Sequence, residues 1–469
     1  MGRVVVLAGL GINLCLGVLY TWSMFTAELT GRMGWTAAEA LTPYAIALGM
    51  FGLTMVFAGR LQDKIGPRVT ATIGGALVGA GMILSSFAPA VAKTAADGFA
   101  TATAAVTKAG TDAAALATAK AALATAKAAL PVVGSSLPWL AIGFGVLTGA
   151  GIGFAYAAAT PAAVKWFAPT KKGLISGTVV AGFGLASVYT APLTGNLLAT
   201  QGLNNTFLFL GIGFLIAILA FAQLLKNPPA DYVPEPDTRV IHHSNVTKAK
   251  ARDYTWQEMV RTPQFYLIWL MYAFAAGAGL MVVGIIAKYA NGIPDVAAQL
   301  TGITTSLKGG SMDWVAKAGA TFTFVMALAI GNGAGRPITG IISDRIGRNQ
   351  TMMGVFVLQA AFMALLASGI VTSFALLLVV AVLVGAMYGA NLTLFPAMTY
   401  DFFGTKNGGV NYGLVFTAWG AGGVLGSLGS GFAKDVFGSF NVAFWVSAAL
   451  LIVATVIVAF VKHPALKDA

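Results

Sequence analysis

The sequence predicts an all-α membrane protein of twelve transmembrane helices, and three observations predict it. Of its 469 residues, 57% are hydrophobic and only 9% are charged, against about 25% charged in an ordinary soluble domain. The apolar residues gather into twelve runs, each near the roughly 20 residues that a helix needs to cross a bilayer core. Glycine is abundant, at 58 residues, which suits helices packing closely in lipid. Helices follow from the solvent: lipid offers nothing to unpaired backbone N–H and C=O groups, so a spanning segment must satisfy its own.

In order, the first six runs are Val4–Ala27, Ala40–Ala58, Val69–Ala90, Leu137–Val164, Leu174–Leu193 and Phe207–Leu225. The second six are Phe265–Ala287, Ala318–Ile342, Thr351–Val371, Phe374–Met398, Val410–Phe432 and Val442–Val461. The first run follows Arg3 and resembles a signal peptide in charge and apolarity. It is longer than one and lacks an A-x-A site, so it reads as a retained first helix.

Lys and Arg set the orientation. With the N-terminus inside, the cytoplasmic segments hold 18 basic residues, the external ones nine, and Arg336 belongs to neither side. This obeys the positive-inside rule and accounts for the net charge of +12 without nucleic acid. The expectation is a multi-pass protein of a bacterial or archaeal cytoplasmic membrane, monomeric, with both termini cytoplasmic. The single cysteine, Cys15, excludes an internal disulfide. His242, His243 and His463 all lie outside the apolar runs, so neither a metal site nor another cofactor is expected within them.

Two polar stretches divide the chain. Residues 227–263, with five prolines and mixed charge, read as a cytoplasmic linker ending in a short surface helix. They separate an N-terminal six-helix bundle, 1–226, from a C-terminal one, 264–469. Residues 91–136 are an Ala/Thr-rich external insertion with a seven-residue repeat, Ala114–Lys120 and Ala121–Lys127. A helix capped by Thr111 or Asp112 and ended by Pro131 is expected, with Leu116, Leu123 and Leu130 along one stripe.

One motif occurs twice. Gly59-Arg-Leu-Gln-Asp63-Lys64-Ile-Gly66-Pro-Arg68 follows the second run, and Gly340-Ile-Ile-Ser-Asp344-Arg345-Ile-Gly347-Arg348 follows the eighth. Glycine permits a tight loop there, and the charges can pair with one another and with helix ends. Two copies at equivalent positions indicate a duplicated six-helix unit.

The candidate site centres on Arg336, the one charged residue within the twelve runs. An intramembrane ionisable group is expensive and marks a functional site by default. Asn332 lies one helical turn earlier, and the surrounding Gly331-Asn-Gly-Ala-Gly335-Arg336-Pro337 allows a helix or a ligand to come close. Guanidinium fits a carboxylate in a bidentate pair. The alternative is that Arg336 snorkels to the cytoplasmic face. With no acidic partner in the runs, a substrate anion is the natural counter-charge. Tyr156, Tyr189, Tyr388 and Trp419 could complete the site, or simply pack. An enzyme would need a nucleophile with a base, or metal ligands, and the runs hold no His, Asp or Glu. Glu28, Glu39 and Asp313 flank the outer mouth and Asp401 the inner one.

The doubled motif resembles the loop motif of the major facilitator superfamily. That resemblance implies two six-helix bundles around a central cavity, alternating access, and a conformational latch at Asp63, Lys64, Asp344 and Arg345. More narrowly, Gly11-Ile-Asn-Leu-Cys-Leu-Gly17-Val-Leu-Tyr20-Thr-Trp22-Ser, Gly335-Arg336, Asn411-Tyr412-Gly413 and Thr417-Ala-Trp419-Gly420 resemble the oxalate:formate antiporter family and its monocarboxylate transporter relatives. The resemblance implies that Arg336 is the carboxylate ligand. Oxalate transporters of this group place a second cation, a lysine, where Trp419 stands. One cation suits one carboxylate, so the expected partners are a small monocarboxylate (lactate, pyruvate or formate) and a proton, with anion exchange as the alternative.

Overall fold

The computed structural model describes residues 1–89, 93–109, 112–130, 133–167, 172–229, 232, 253–310, 313–318, 320–404 and 407–464. The regular structure among these residues is helical, with no strand. Among the described residues nine helices are long and apolar enough to cross a membrane. One of them, Ile175–Leu224, is really two arms, because the backbone breaks at Gly202 (φ 75°, ψ 178°). Phe322–Ile346 and Gly408–Phe437 are as long as the others. Arg336 and Asn332 lower the hydropathy of the first, and the second is rich in glycine.

We label the long helices α1 (Gly2–Arg32), α2 (Ala37–Ile65), α3 (Pro67–Ser85), α4 (Gly134–Val164), α5 (172–201), α6 (203–224), α7 (Pro263–Asn291), α8 (Phe322–Ile346), α9 (Arg348–Ala367), α10 (Phe374–Phe403), α11 (Gly408–Phe437) and α12 (Asn441–Phe460). Several overrun their apolar runs because polar residues cap them. α2 starts at Ala37 behind a Thr36–Glu39 capping box. α2 and α8 also continue through the charged motif, which was expected to be a loop. The turn is confined to Gly66 (φ 88°, ψ 164°) and Gly347 (φ 97°, ψ 156°), which share one conformation open to glycine. The duplication seen in sequence is thus repeated in backbone geometry.

The core that positions the site is a seam of glycines between α8 and α10. A methyl added to Gly331 would lie 1.9 Å from the Val382 carbonyl oxygen, and one on Gly335 2.2 Å from that of Ala386. In the other direction a methyl on Gly385 would lie 2.1 Å from the Leu328 carbonyl oxygen, and one on Gly389 2.2 Å from that of Asn332. Only hydrogen fits at such distances, and such small-residue contacts are how membrane helices gain close packing. Of the glycines around Arg336, Gly331 and Gly335 therefore admit α10, and Gly333 admits Leu185 of α5. In α1, a tightened turn over Gly17–Thr21 sits where Gly17 crosses α5.

The insertion holds two helices rather than one, Lys93–Ala109 and Ala113–Ala128. The second is capped by Asp112, which accepts from the N–H groups of Ala114 and Ala115. Asp97 pairs with Arg32, and Phe99 and Leu130 lie beside Gly34, so the pair of helices is seated on the end of α1. A further helix, Pro294–Leu307, follows α7 and escapes an apolar-run criterion because it is polar. At the linker's far end, Trp256–Met259 is the expected short helix. Thr111, Pro131, His242, His243, Lys406 and the side chain of Asp63 lie outside the described residues.

Candidate functional site

Arg336 is 4% exposed and sits where the two halves meet. Its Nη1 donates to the Val180 carbonyl of α5 at 2.8 Å, while Nε and Nη2 both donate to Asn332 Oδ1 at 3.2 Å. It is turned inward rather than snorkelling. Every one of these acceptors is neutral. Three of the five guanidinium N–H groups are engaged, which leaves two. Asn332 is fully buried, and its Nδ2 has no partner among the described residues. Cation and amide together therefore hold unused donors and no unused acceptor of comparable strength.

Beside Arg336 is a cavity of about 10 Å³, room for about one water. Tyr20, Phe51, Tyr156 and Phe183 line it from the N-terminal half; Arg336, Leu392, Phe416 and Trp419 line it from the C-terminal half. Trp419 stacks on Phe416 (centroids 5.0–5.1 Å from both Phe416 and Phe51). Trp419 Nε1 donates to the Tyr388 hydroxyl at 2.9 Å, and Tyr388 shares a 2.7 Å hydroxyl–hydroxyl bond with Tyr20. A cation is thus enclosed by aromatic walls, with hydroxyls as the nearby polar groups.

Of the residues singled out in the sequence, Arg336, Asn332, Tyr156, Tyr388 and Trp419 come together. Tyr189 does not. It is 40% exposed and donates to the Leu14 carbonyl at 3.0 Å. On α5 the site-facing residues are Val180, Phe183 and Gly184. Tyr189 lies about 140° round the helix from Gly184, at about 100° per residue. Tyr20, Phe51, Phe183, Leu392 and Phe416 join the site without having been singled out. For Tyr20 the available signal is Gly17 one turn earlier, which marks the helix crossing. Asn411 serves structure: with Asn407 it donates to the Tyr254 carbonyl, both at 3.0 Å, and pins the end of the linker.

The family profile described as Major Facilitator Superfamily matches residues 113–312 and 282–469. The chain belongs to that superfamily. It is a multi-pass membrane transporter. An MFS-type transporter of Escherichia coli named YhjX is 28% identical over 412 residues, 87% of this chain and 82% of the relative. The oxalate:formate antiporter of Oxalobacter formigenes is 26% identical over 459 residues, 97% of this chain and 90% of the relative. Apicoplast pyruvate carrier 1 of Toxoplasma gondii is 46% identical over 50 residues, 11% of this chain and 9% of the carrier.

In this facilitator the second copy of the repeated motif ties α8, α9 and α10 together. Arg348 pairs with Asp344 at 2.9 Å and Asp401 at 3.3 Å, and also donates to Ser343. Arg345 and Lys64 are exposed. Arg348, quoted in the motif but given no role there, is the residue that makes the ion pairs, because it starts α9 and faces back across Gly347.

Proposed function

We propose that this protein is a proton-coupled carrier of small monocarboxylates, of the lactate, pyruvate or formate class, working by alternating access. The reading places all twelve long helices across the cytoplasmic membrane of a bacterium or archaeon. They form an N-terminal bundle (1–226), a cytoplasmic linker (227–263) and a C-terminal bundle (264–469), with both termini cytoplasmic and the chain monomeric. The observation that carries it is Arg336: a buried cation between the two bundles, hydrogen-bonded only to neutral groups among the described residues.

An uncompensated buried charge carries a penalty of several kcal/mol. A carboxylate binding to the two unused N–H groups offsets it, and Asn332 Nδ2 can donate to the same anion. One arginine and one carboxylate make a neutral pair. A second carboxylate in the same dry, aromatic-walled space has no cation, because Trp419 stands there with its indole N–H already engaged. Desolvating that charge unpaired is unfavourable, which supports monocarboxylates over oxalate. A proton moving with the anion keeps the cycle electroneutral.

The cavity is too small for any carboxylic acid as it stands, so loading requires the halves to part. That supports reading this conformation as the occluded stage of an alternating-access cycle. In this reading Asp63, Lys64, Asp344 and Arg345 form the conformational latch of the cytoplasmic side. Anion exchange is the second reading, favoured by the likeness to the oxalate:formate antiporter over 97% of the chain. Uptake of labelled lactate, formate and oxalate into proteoliposomes separates the two. Symport requires uptake that rises with external acidity and collapses with a protonophore. Exchange requires a trans-side anion and ignores the pH gradient.

A further inference from the structure

Helices α2 and α11, one from each half, run antiparallel and touch along their length. The contact is graded. At the end carrying residues 38 and 431, a methyl on Gly431 would come 2.6 Å from the Ala38 Cα, so the backbones nearly meet. Midway, a methyl on Gly52 would lie 3.1 Å from the Gly420 Cα. Toward the other end, a methyl on Gly413 would lie at an ordinary 3.7 Å from the Val56 Cα. The seam is tight at one end and loose at the other.

The tight end also has a polar closure. The two carboxylate oxygens of Asp435, near the end of α11, accept from the N–H groups of Ala37 and Ala38, both at 2.8 Å. These amides open α2, and a helix leaves its first amides without intrahelical acceptors. The capping box accounts for the neighbours: Glu39 accepts from the Thr36 N–H, and Thr36 accepts from the Glu39 N–H. Ala37 and Ala38 are what remains, and their acceptor comes from the other half of the molecule. The positive end of the α2 dipole adds to the attraction. Lys434, next to Asp435, donates instead to the Gly438 carbonyl at 2.6 Å. Among the described residues no cation lies within ion-pair distance of Asp435, although Lys288 of α7 is near enough for the two charges to attract.

We infer that Asp435 is the latch of this end of the transporter: it completes the N-terminal cap of α2 in trans, and that cap must break whenever the halves part there. Closure at this end is then favoured by the cap, while toward the other end the described residues of the α2–α11 seam pack more loosely. The inference concerns the conformational equilibrium and stands whatever the substrate is; calling this the external end rests on the orientation proposed above.

Losing a helix cap and its charge–dipole attraction corresponds to about a three- to tenfold change in an equilibrium. The test uses the full chain in lipid nanodiscs without substrate. Cys15 is replaced by Ser, and spin labels are attached to cysteines at Thr200 and Gln299, which are exposed near this end on opposite halves. Asp435→Ala should raise the ratio of long to short inter-label distances three- to tenfold. Asp435→Asn, which keeps one acceptor oxygen, should give a smaller shift in the same direction. Lys434→Ala should leave the distribution unchanged. Unchanged distances in both Asp435 variants would overturn the inference, and so would an equal shift in Lys434→Ala, which would make the effect one of general charge.

Discussion

Tyr20 and Tyr388 stand 368 residues apart in the chain and share a 2.7 Å bond between their hydroxyls. The bond joins α1 to α10 across the cavity, and Trp419 adds a third member by donating to Tyr388. Tyr388 is therefore the hub of the three, and Tyr20 and Trp419 are its dependents.

Removing the hub should cost more than removing a dependent. Tyr388→Phe leaves the Tyr20 hydroxyl and the Trp419 indole N–H both buried without their hydrogen-bond partner, an effect of about 1–3 kcal/mol per orphaned group. We expect a lower melting temperature and about a tenfold rise in KM for the transported acid. Tyr20→Phe leaves the Trp419–Tyr388 bond in place, and a rise below about threefold is expected. Thermal unfolding in detergent and concentration-dependent uptake check both; an equal penalty for the two would show that Tyr388 is not the hub.

The α8–α10 seam should tolerate almost no bulk. Gly335→Ala would drive a methyl to 2.2 Å from the Ala386 carbonyl oxygen, so the helices must separate. Overpacking of this kind costs about 1–3 kcal/mol. Because Arg336 follows directly, substrate binding should weaken along with stability. Gly354→Ala, where a methyl meets nothing within 4 Å, is the matched control and should be neutral in both measurements.

Trp419→Lys should move selectivity. A second cation in the cavity removes the reason for rejecting a second carboxylate, so the ratio of oxalate to lactate uptake should rise about tenfold or more. An unchanged ratio in a folded variant would show that residue 419 does not set the number of carboxylates.

The insertion should be separable from transport. Replacing residues 91–136 with a short Gly/Ser bridge removes a helix pair seated on the end of α1 through Arg32–Asp97 and Leu130. Uptake should stay within about twofold, as surface insertions are well tolerated. Abolished uptake in a well-expressed deletion would assign the insertion a role in the transport cycle.

What the sequence reveals and conceals has physical causes. The helices are legible because lipid enforces long apolar runs, and the duplication is legible because Gly66 and Gly347 need the same special backbone. Arg336 stands out because a charge within such a run is costly. The aromatic walls are not legible: Phe51, Phe183 and Phe416 look like any apolar residue of a membrane helix, and only helix rotation separates a cavity face from a lipid face. Tyr189 illustrates the error this allows, since its position along α5 is suitable and its angle around the helix is not. The cap by Asp435 is invisible for another reason, because it joins residues nearly 400 apart through backbone amides that carry no side-chain signature.

The most direct test of the central claim is binding and uptake of labelled lactate by wild type, Arg336→Ala and Arg336→Lys in proteoliposomes under an inward proton gradient. Breaking a buried, hydrogen-bonded charge pair costs about 2–5 kcal/mol, so Arg336→Ala should lose affinity by about a hundredfold and show no gradient-driven uptake while remaining folded. Arg336→Lys should recover little, because an ammonium cannot reproduce the bidentate fork. Wild-type affinity and uptake in a folded Arg336→Ala protein would contradict the account.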